Sequence, residues 1–475
     1  MKRYYIHTFG CQMNVNDTLR MGEVLGRLSY GPTPTPDNAD LIILNTCAIR
    51  EKAEEKMLSA LGRYRPIKVQ RGTLIGVGGC VAQQEKQKLL KKVPYVDFVF
   101  GPDNIAKLPE ILDEVTNQRA RVVETAWVDS EEYVFPRADP ETARGKVTEF
   151  VTVMKGCDNV CAFCVVPHTR GREVSRPFSE VLTECAELAR VGVREVTLIG
   201  QNVNSYRGGI SFADLLLRVC EVPGILRVRF TTSHPHDLSD ELVEAFRIQP
   251  KIAPHFHLPV QCGSDAVLKR MKRDYTVEAY LERLGKLRAA RPGVAVTTDI
   301  IVGFPGETEE DFEGTLRLTE QVRYENQFSF VFSPRPKTVA AIKEPEWGEI
   351  PHETKIARLE RLQKLQRGIC AEYMSATVGT EVEVLVEGPS RFDPGRRFGR
   401  TPENRVVNFD GDAPAGSLVK VMIEKASPNA LSGKLASVLL PPSMPIAESA
   451  PAADDAVCAV NADGGVKLQV VAAQA

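Results

Sequence analysis

The stretch FVTVMKGCDNVCAFC, residues 150–164, joins a short apolar segment to three closely spaced cysteines. The apolar segment predicts a strand, and Cys157, Cys161 and Cys164 follow it in a loop. In α/β folds, functional residues collect at the carboxyl ends of the strands. The stretch therefore predicts a metal-binding loop at the mouth of an α/β domain, with three cysteine ligands where a structural zinc site usually has four.

Three interpretations of this loop remain open from its residues alone. A zinc ion needs a fourth ligand, for which His168 is nearest, although Pro167 restricts the turn before it. Three thiolates can instead hold three irons of a [4Fe–4S] cluster and leave the fourth iron open to a substrate or cofactor. In the third interpretation the thiols bind no metal. The spacing and the position after a strand favour the cluster.

The alternation of strands and helices continues along the chain from this stretch. Six strand-like segments are separated by helical ones, which predicts an open, partial (β/α)6 barrel rather than a closed barrel of eight units. The six segments are 150–155, 195–200, 226–233, 255–261, 296–303 and 328–333.

The regions on either side of this barrel have different patterns. Residues 1–117 alternate four strands with helices, which predicts an N-terminal parallel α/β domain. Residues 118–145 are polar and contain prolines, so we expect a linker before the barrel domain, 146–375. Residues 376–440 show period-two alternation, which predicts a small C-terminal antiparallel β-barrel. The alanine-rich segment 441–475 is expected to be a disordered tail.

The composition is that of an ordinary globular protein of 475 residues, with 43% hydrophobic residues and a net charge of −2. A nucleic-acid partner would therefore need a local basic patch. No apolar run of about 18 residues predicts a membrane helix, and the N-terminal segment has no signal-peptide core. We expect a cytoplasmic monomer that does not contact membranes, in which clustered thiols bind metal rather than form disulfides.

A second group of three cysteines is predicted in the N-terminal domain. Cys11, Cys47 and Cys80 each follow a predicted parallel strand directly. Neighbouring strands lie about 4.8 Å apart, so thiols at one edge of the sheet can converge on a second cluster. Alternatively, the three cysteines are small buried hydrophobic residues. The threefold repetition of strand, cysteine and helix favours a second metal site. A ligand role for Cys262, at the end of a barrel strand, is not favoured.

These motifs resemble those of the radical S-adenosylmethionine (SAM) superfamily and, within it, the methylthiotransferases. The loop of Cys157, Cys161 and Cys164 resembles the superfamily signature, and DIIVGFPGET (299–308) is similar to its glycine-containing strand. The first domain resembles that of the methylthiotransferases, and segment 376–440 resembles their RNA-binding TRAM module. The N-terminal motifs are TFGCQMN (8–14), LNTCAIREKAEEK (44–56) and GVGGCVAQ (76–83).

The resemblance implies two [4Fe–4S] clusters and SAM as cofactors. The open iron of the cluster on Cys157, Cys161 and Cys164 is expected to bind SAM, whose reductive cleavage gives a radical that removes hydrogen from an unactivated carbon. The N-terminal cluster is expected to carry the sulfur, which a second SAM methylates before transfer. A flavodoxin or ferredoxin is expected to donate electrons, and the sulfur donor is not specified.

The resemblance also places SAM contacts at the ends of the barrel strands. Gln201 and Asn202 are expected near the methionine amino group, and Ser233 and Gln261 near the carboxylate and ribose. Gly303 and Phe163 are expected near the adenine, since a glycine lets the backbone approach closely. For the polar residues the alternative is a strand-end cap or a turn hydrogen bond.

Three methylthiotransferase branches differ in their substrates. One acts on N6-isopentenyl adenosine beside the tRNA anticodon, one on threonylcarbamoyl adenosine there, and one on an aspartate of a ribosomal protein. Segments 45–56 and 164–177 resemble the isopentenyl-adenosine branch most closely. The resemblance thus implies addition of a methylthio group at C2 of that nucleoside. A non-catalytic RNA-binding protein with structural zinc is the alternative outside the family.

Basic residues in two segments are compatible with an RNA substrate. Arginines neutralise phosphates and aromatic rings stack on bases, whereas the alternative is a solvated arginine-rich loop. The residues of the C-terminal barrel are Arg391, Phe392, Arg396, Arg397, Phe398, Arg400 and Arg405. Those beside the cysteine loop are Arg170, Arg172 and Arg176.

Overall fold

A computed structural model describes residues 1–48, 51–129, 133–135, 137–390, 393–443 and 468–469. The disordered tail predicted for 441–475 lies almost entirely outside these residues. The described chain contains a parallel sheet, a partial barrel and a small closed barrel, in that order. Mixed α/β architecture with a C-terminal β-barrel was the fold predicted, and it is confirmed.

The N-terminal part is a parallel sheet covered by helices on both faces. Its strands are β1 (Lys2–Phe9), β2 (Tyr30–Pro32), β3 (Leu41–Thr46), β4 (Leu74–Gly79), β5 (Phe98–Phe100) and β6 (Val122–Glu124). Its helices are α1 (Gln12–Arg27), α2 (Glu51–Arg71), α3 (Cys80–Glu85), α4 (Gln87–Lys92) and α5 (Leu108–Asn117). The strand order is β2-β1-β3-β4-β5-β6. Strand β6 comes from segment 118–145, which was predicted as a linker.

The register of this sheet aligns the ends of its three central strands. Phe9 pairs with Thr46, and Thr46 pairs with Gly79 across the parallel ladders. The sheet is buried on both faces, so its central strands read as continuous apolar runs such as LIIL in β3. Because β1, β3 and β4 end level, the residues that follow them emerge at one edge of the sheet.

The central part is built from six parallel strands in two three-stranded sheets. Its strands are β7 (Thr148–Thr152), β8 (Met154–Lys155), β9 (Val174–Ser175), β10 (Glu195–Ile199), β11 (Arg227–Phe230), β12 (His255–His257), β13 (Ala295–Val302) and β14 (Asn326–Val331). The sheets have the orders β11-β10-β7 and β12-β13-β14, and Val228 of β11 forms a parallel bridge with Ile252, in the segment before β12. The short β8 and β9 pair separately. The six predicted barrel strands are thus all present.

Helices follow the barrel strands and cover their outer side. They are α6 (Pro140–Ala143), α7 (Val166–Thr169), α8 (Phe178–Arg190), α9 (Phe212–Glu221), α10 (Asp240–Ile248), α11 (Asp265–Arg270), α12 (Val277–Ala290), α13 (Glu309–Val322), α14 (Val339–Trp347) and α15 (His352–Ala376). The larger hydrophobic core of this part contains Phe230, Phe246 and Phe256 in mutual ring contact, and a smaller core contains Phe304 and Phe332. The long α15 leads to the last part of the chain.

The C-terminal part is a closed five-stranded barrel. Its strands are β15 (Glu381–Pro389), β16 (Arg397–Arg400), β17 (Val406–Asp410), β18 (Leu418–Ala426) and β19 (Leu431–Leu440). In the closed order β15-β16-β17-β19-β18, four pairs are antiparallel and the β17–β19 pair is parallel. A short strand β20 (Leu468–Gln469) pairs with β1.

Buried polar contacts join the N-terminal and central parts. Asn16 in α1 donates to the hydroxyl of Thr152 in β7 (2.8 Å), and Lys155 pairs with Asp103 (2.6 Å). These two contacts fix the N-terminal sheet against the mouth of the partial barrel. Both involve buried side chains, so the seam between the two parts excludes water at these points.

Candidate active site

The loop of three cysteines between β8 and α7 is held by backbone hydrogen bonds. The amide of Cys157 donates to the carbonyl of Gly171 (3.2 Å), and the amide of Ala162 donates to that of Met271 (2.8 Å). Gly156 begins the loop with φ of +73°, and a Cβ there would lie 2.0 Å from a backbone oxygen. The loop conformation therefore requires glycine at this position.

Burial and one arginine set the electrostatics of this loop. Burial raises the pKa of Cys157 to about 11 and that of Cys164 to about 12, and the neighbouring Cys161 thiolate adds to both shifts. Arg273 is buried and donates from Nη1 to Sγ of Cys161 (3.4 Å), while Nη2 donates to the carbonyl of Pro259 (2.7 Å). A fixed positive charge thus lies against one thiol of the loop.

The N-terminal cysteines also come together, as the strand register requires. Cys11, Cys47 and Cys80 follow β1, β3 and β4 at one edge of the sheet. A Cβ on Gly10 would lie 2.6 Å from the Cβ of Cys47, so the chain segments that carry the first two thiols are in close contact. A hydrogen bond from Cys47 lowers the pKa of Cys11 to about 6, against the opposing effect of burial. Burial raises the pKa of Cys80.

Arg170 connects the two groups of cysteines. It follows Cys164 by six residues, at the end of α7, and its Nε donates to Sγ of Cys80 (3.4 Å). Its two terminal nitrogens donate to both carboxylate oxygens of Asp17, at 2.6 and 3.4 Å. The guanidinium and the carboxylate are each 7% exposed. The loop of the first cysteine group is therefore in direct contact, through Arg170, with a thiol of the second.

Each of the two sites offers three thiols, which is the donor set of a [4Fe–4S] cluster with one open iron. Among the described residues, no three His, Cys, Asp or Glu side chains are gathered as the ligands of one metal ion would be. Ligands of one zinc ion lie within about 4 Å of each other. Thiolates that bind separate irons of a cluster are spread more widely. His168, the predicted fourth zinc ligand, is exposed on α7, which also disfavours zinc.

Three of the predicted SAM contacts carry buried polar atoms that lack partners. Gln201 accepts from the amide of Gly156, and Asn202 donates to Asp237 (2.7 Å). Gln201 Nε2, Asn202 Oδ1 and Ser233 Oγ have no hydrogen-bond partner within the described part of the chain. Leaving a buried polar atom unsatisfied costs about 1–3 kcal/mol. Three such atoms beyond the ends of β10 and β11 indicate a place for a polar ligand.

The other predicted SAM contacts are less informative. Phe163 is half-buried beside Phe304, and Gln261 has φ of +72° with its backbone bonded to β13. A Cβ on Gly303 would lie 2.4 Å from the side chain of Lys355, so the space there is already filled. An adenine ring would have to approach Gly303 from another side, and these three contacts stay predictions.

Cys262 is not part of either cysteine group. It is fully buried, and its Sγ lies 3.5 Å from the hydroxyl of Thr315 on α13. Burial raises its pKa to about 12. Cys262 is therefore a core residue of the barrel, as its sequence context favoured.

The predicted RNA-binding residues of the C-terminal barrel differ in their accessibility. Arg391 and Phe392 lie outside the described residues. Phe398 is half-buried on β16. Arg396 and Arg397 each pair with an exposed aspartate, at 3.0 and 3.3 Å. The two carboxylates are 56% and 93% exposed, so solvent weakens both pairs.

Arg400 and Arg405 instead hold the barrel together and in place. Arg400 is 7% exposed and lies 3.2 Å from Glu387, within the barrel. Arg405 donates to both oxygens of Glu325, at the start of β14. These contacts leave neither guanidinium available to a phosphate, which corrects the prediction for these two residues.

The arginines beside the cysteine loop also differ in their accessibility. Arg172 is 85% exposed and pairs with Asp158 (3.0 Å). Arg176 is fully buried and pairs with Glu184, while Arg170 makes the contacts with Asp17 and Cys80 described above. Only Arg172 of these three can meet RNA. The other two are buried and paired with acids, Arg170 with Asp17 on α1 and Arg176 with Glu184 on α8.

Two functional residues were missed from the sequence. Arg273 lies 112 positions beyond Cys161, and Asp17 lies on α1, far in sequence from Arg170. The only available signal for Arg273 was its position near the end of a barrel unit. For Asp17 it was proximity to Cys11. Neither signal predicts a contact with a cysteine site.

No helix in the described ranges is long and apolar enough to cross a membrane.

Comparisons with known families match three successive segments. Residues 3–101 match the Uncharacterized protein family UPF0004, residues 151–319 the Radical SAM superfamily, and residues 375–436 the TRAM domain. The three matched segments correspond to the parallel sheet, the partial barrel and the closed barrel.

Relatives of known name cover nearly the whole chain. A protein of Myxococcus xanthus is 78% identical over 94% of this chain and 96% of its own length. A protein of Geobacter sulfurreducens is 49% identical over 91% and 97%, respectively. Both are named tRNA-2-methylthio-N(6)-dimethylallyladenosine synthase.

Solved structures share the fold at low identity. The radical S-adenosylmethionine methyltransferase TsrM of Kitasatospora setae is 15% identical, covers 72% of this chain and 76% of its own, and gives a TM-score of 0.53. The cobalamin-dependent radical enzyme OxsB is 14% identical, covers 77% and 56%, and gives a TM-score of 0.50. At this identity the likeness concerns the fold.

Proposed function

The chain belongs to the family of tRNA-2-methylthio-N(6)-dimethylallyladenosine synthases, and from this membership we propose the reaction and the roles of its residues. It is a radical SAM methylthiotransferase that acts on tRNA. The reaction adds a methylthio group at C2 of N6-isopentenyl adenosine beside the anticodon. The observation that supports carrying this assignment to residues is the contact of Arg170 with Cys80, which joins the segment after Cys164 to a thiol of the N-terminal group.

SAM and an iron–sulfur cluster are the cofactors of the central domain. Cys157, Cys161 and Cys164 would hold the cluster, with Arg273 donating to Cys161. When bound, the cluster and SAM supply the one-electron chemistry that removes a hydrogen atom from an unactivated carbon. The unpartnered atoms of Gln201, Asn202 and Ser233 would bind and orient the polar groups of SAM.

A second [4Fe–4S] cluster on Cys11, Cys47 and Cys80 is part of the proposal. The support is the convergence of the three cysteines at one sheet edge, and three thiolates again leave one iron open. That iron would carry the sulfur to be transferred. The buried seam formed by the Asn16–Thr152 and Lys155–Asp103 contacts would keep bulk water away from the reaction.

The RNA would reach the site as a single-stranded loop. Chemistry on a base requires the base to leave its stack, which costs a few kcal/mol in a duplex and less in an anticodon loop. Arg172 is exposed beside the cysteine loop, and Arg396 and Arg397 are held by exposed carboxylates that phosphates can displace. These three arginines are the proposed phosphate contacts.

The remaining parts of the proposal concern partners and compartment. We propose a flavodoxin or ferredoxin as the electron donor, and a monomer that works in the cytoplasm. The sulfur donor is not assigned.

Mass spectrometry of tRNA nucleosides from cells with and without the gene tests the function. We expect 2-methylthio-N6-isopentenyl adenosine to disappear and its unmethylthiolated precursor to accumulate. Loss of a methylthio group from threonylcarbamoyl adenosine, with the isopentenyl product unchanged, would contradict the proposed substrate. So would an unchanged tRNA profile with loss of a modified ribosomal-protein aspartate.

A further inference from the structure

Each of the two cysteine groups is contacted by one buried arginine at the same distance. Arg273 donates to Sγ of Cys161 and Arg170 to Sγ of Cys80, in both cases at 3.4 Å. The two guanidinium groups differ in what else they bind. Arg273 donates to a tyrosine hydroxyl and a backbone carbonyl, whereas Arg170 is paired with the carboxylate of Asp17. Of these two arginines, Arg170 is the one paired with a carboxylate in the described part of the chain.

We propose that Arg170 and Asp17 together set the reduction potential of the iron–sulfur cluster at the N-terminal cysteines. The inference rests on the proposed function, because it requires the second cluster. Arg170 is here a positioning residue, which acts on the cluster through the thiolate of Cys80. Asp17 orients the guanidinium and opposes its charge.

The physical basis is the low polarity of the site. A reduced cluster carries one more negative charge than an oxidised one, so a nearby positive charge raises the potential and a nearby negative charge lowers it. Water screens such effects poorly at a buried position. Arg170 and Asp17 are both buried, and they carry the two opposite charges of one ion pair. Removal of either charge should therefore shift the potential, in opposite directions.

The ion pair also fixes the orientation of the Arg170 guanidinium relative to Cys80. Arg170 ends α7, and Val165 at the start of the same segment is packed in the core of the N-terminal sheet. Asp17 lies on α1, which follows Cys11. The guanidinium is thus held from two elements, one after each cysteine group, and cannot turn away from Cys80 without breaking the pair.

The test isolates the N-terminal cluster. Cys157, Cys161 and Cys164 are replaced by alanine in the full chain, which is reconstituted anaerobically with iron and sulfide. Iron analysis should give about four irons per chain. The midpoint potential is then measured by a redox titration monitored by electron paramagnetic resonance. In this background four further variants are compared.

Arg170→Gln should lower the midpoint potential, because it removes a positive charge. Asp17→Asn should raise it, since the amide oxygen can still accept from Arg170 while the negative charge is gone. The double variant should lie between the two single variants, and it leaves no unpaired buried charge that would hinder folding. Arg172→Gln is the matched control, because Arg172 is 85% exposed and its removal should not shift the potential.

Equal potentials in all variants would overturn the inference, and so would shifts of Arg170→Gln and Asp17→Asn in the same direction, since that pattern indicates a structural role only. A shift in Arg172→Gln as large as that in Arg170→Gln would also overturn it. The absence of bound iron in the background variant would instead contradict the second cluster of the proposed function. In the otherwise unaltered enzyme, Arg170→Gln should retain SAM cleavage and lose methylthio transfer.

Discussion

Arg405 of the C-terminal barrel is bonded to both carboxylate oxygens of Glu325 in the central domain, through Nε at 2.5 Å and Nη2 at 3.1 Å. The two side chains are 19% and 12% exposed. A third bond runs from Nη1 to the hydroxyl of Thr377, after α15. An arginine expected to contact RNA is thus a polar link between two domains.

Replacement of Arg405 should loosen the C-terminal barrel. Arg405→Gln leaves Glu325 without its cation, and we expect a loss of about 2–3 kcal/mol, between the values for exposed and buried pairs. Hydrogen exchange of β17 reports this as faster local opening. Arg317→Gln is the control, because its pair with Glu310 is exposed and should contribute less than about 1 kcal/mol. Equal effects would show that Arg405 does not hold the barrel.

Replacement of single cysteines should separate SAM cleavage from methylthio transfer. Cys157→Ala should abolish SAM cleavage, because the central domain would lose its cluster. Cys47→Ala should retain cleavage and stop methylthio transfer. Iron per chain should fall from about eight to about four in each variant. Formation of the methylthio product by Cys47→Ala would contradict the role assigned to the N-terminal cysteines.

Ser233 should affect SAM binding without affecting stability. Its Oγ has no partner in the described protein, so Ser233→Ala removes no internal hydrogen bond. We expect SAM affinity to fall about fivefold to tenfold, or about 1 kcal/mol, in equilibrium dialysis with the reconstituted enzyme. The thermal unfolding midpoint should stay within about 1 °C of that of the unaltered chain.

Ser239 provides the opposite pattern as a control. Its Oγ accepts from the amide of Leu242 and caps α10. Ser239→Ala should cost about 1 kcal/mol of stability and leave SAM affinity unchanged. If both serine variants lose SAM affinity equally, the unpartnered hydroxyl of Ser233 does not contact the cofactor.

Acidification should destabilise the chain through His234. Burial and the neighbouring Arg273 lower the pKa of His234 from 6.5 to about 3, and its Nδ1 accepts from the amide of His236. The folded state therefore binds fewer protons, so this contribution is complete above about pH 6.5 and is lost as the pH falls toward 3. Between pH 7 and pH 5 the loss should be about 2 kcal/mol.

His234→Asn tests this prediction, because its amide oxygen can accept the same hydrogen bond without titrating. Chemical denaturation at pH 7 and pH 5 should show a smaller pH dependence in the variant than in the unaltered chain. An equal pH dependence in the two proteins would assign the acid sensitivity to other groups.

The sequence predicted the six barrel strands and the convergence of Cys11, Cys47 and Cys80. Both follow from local patterns, namely apolar runs bounded by turns and cysteines placed directly after parallel strands. The capping box of Thr308 with Asp311 at the start of α13 is likewise a local feature. Such features depend on residues close together in the chain, which explains the agreement.

The partners of the arginines could not be predicted in the same way. Arg405 and Glu325 are 80 positions apart, and Arg273 and Cys161 are 112 apart. A charged residue in a polar loop has the same local sequence whether it faces solvent or an acid on another domain. The sequence also did not predict that β17 and β19 pair in parallel, because the direction of pairing depends on how the barrel closes.

The short helix α7 fixes the number of residues between Cys164 and Arg170. One inserted residue would rotate everything beyond it by about 100° around the helix axis, and Arg170 would point away from Cys80 while Cys164 kept its place. Insertions and deletions in this segment should consequently be excluded during evolution, although the exposed His168 within it is free to vary in type. The length of this segment, more than the identity of its residues, therefore maintains the contact of the central domain with the N-terminal domain through Arg170.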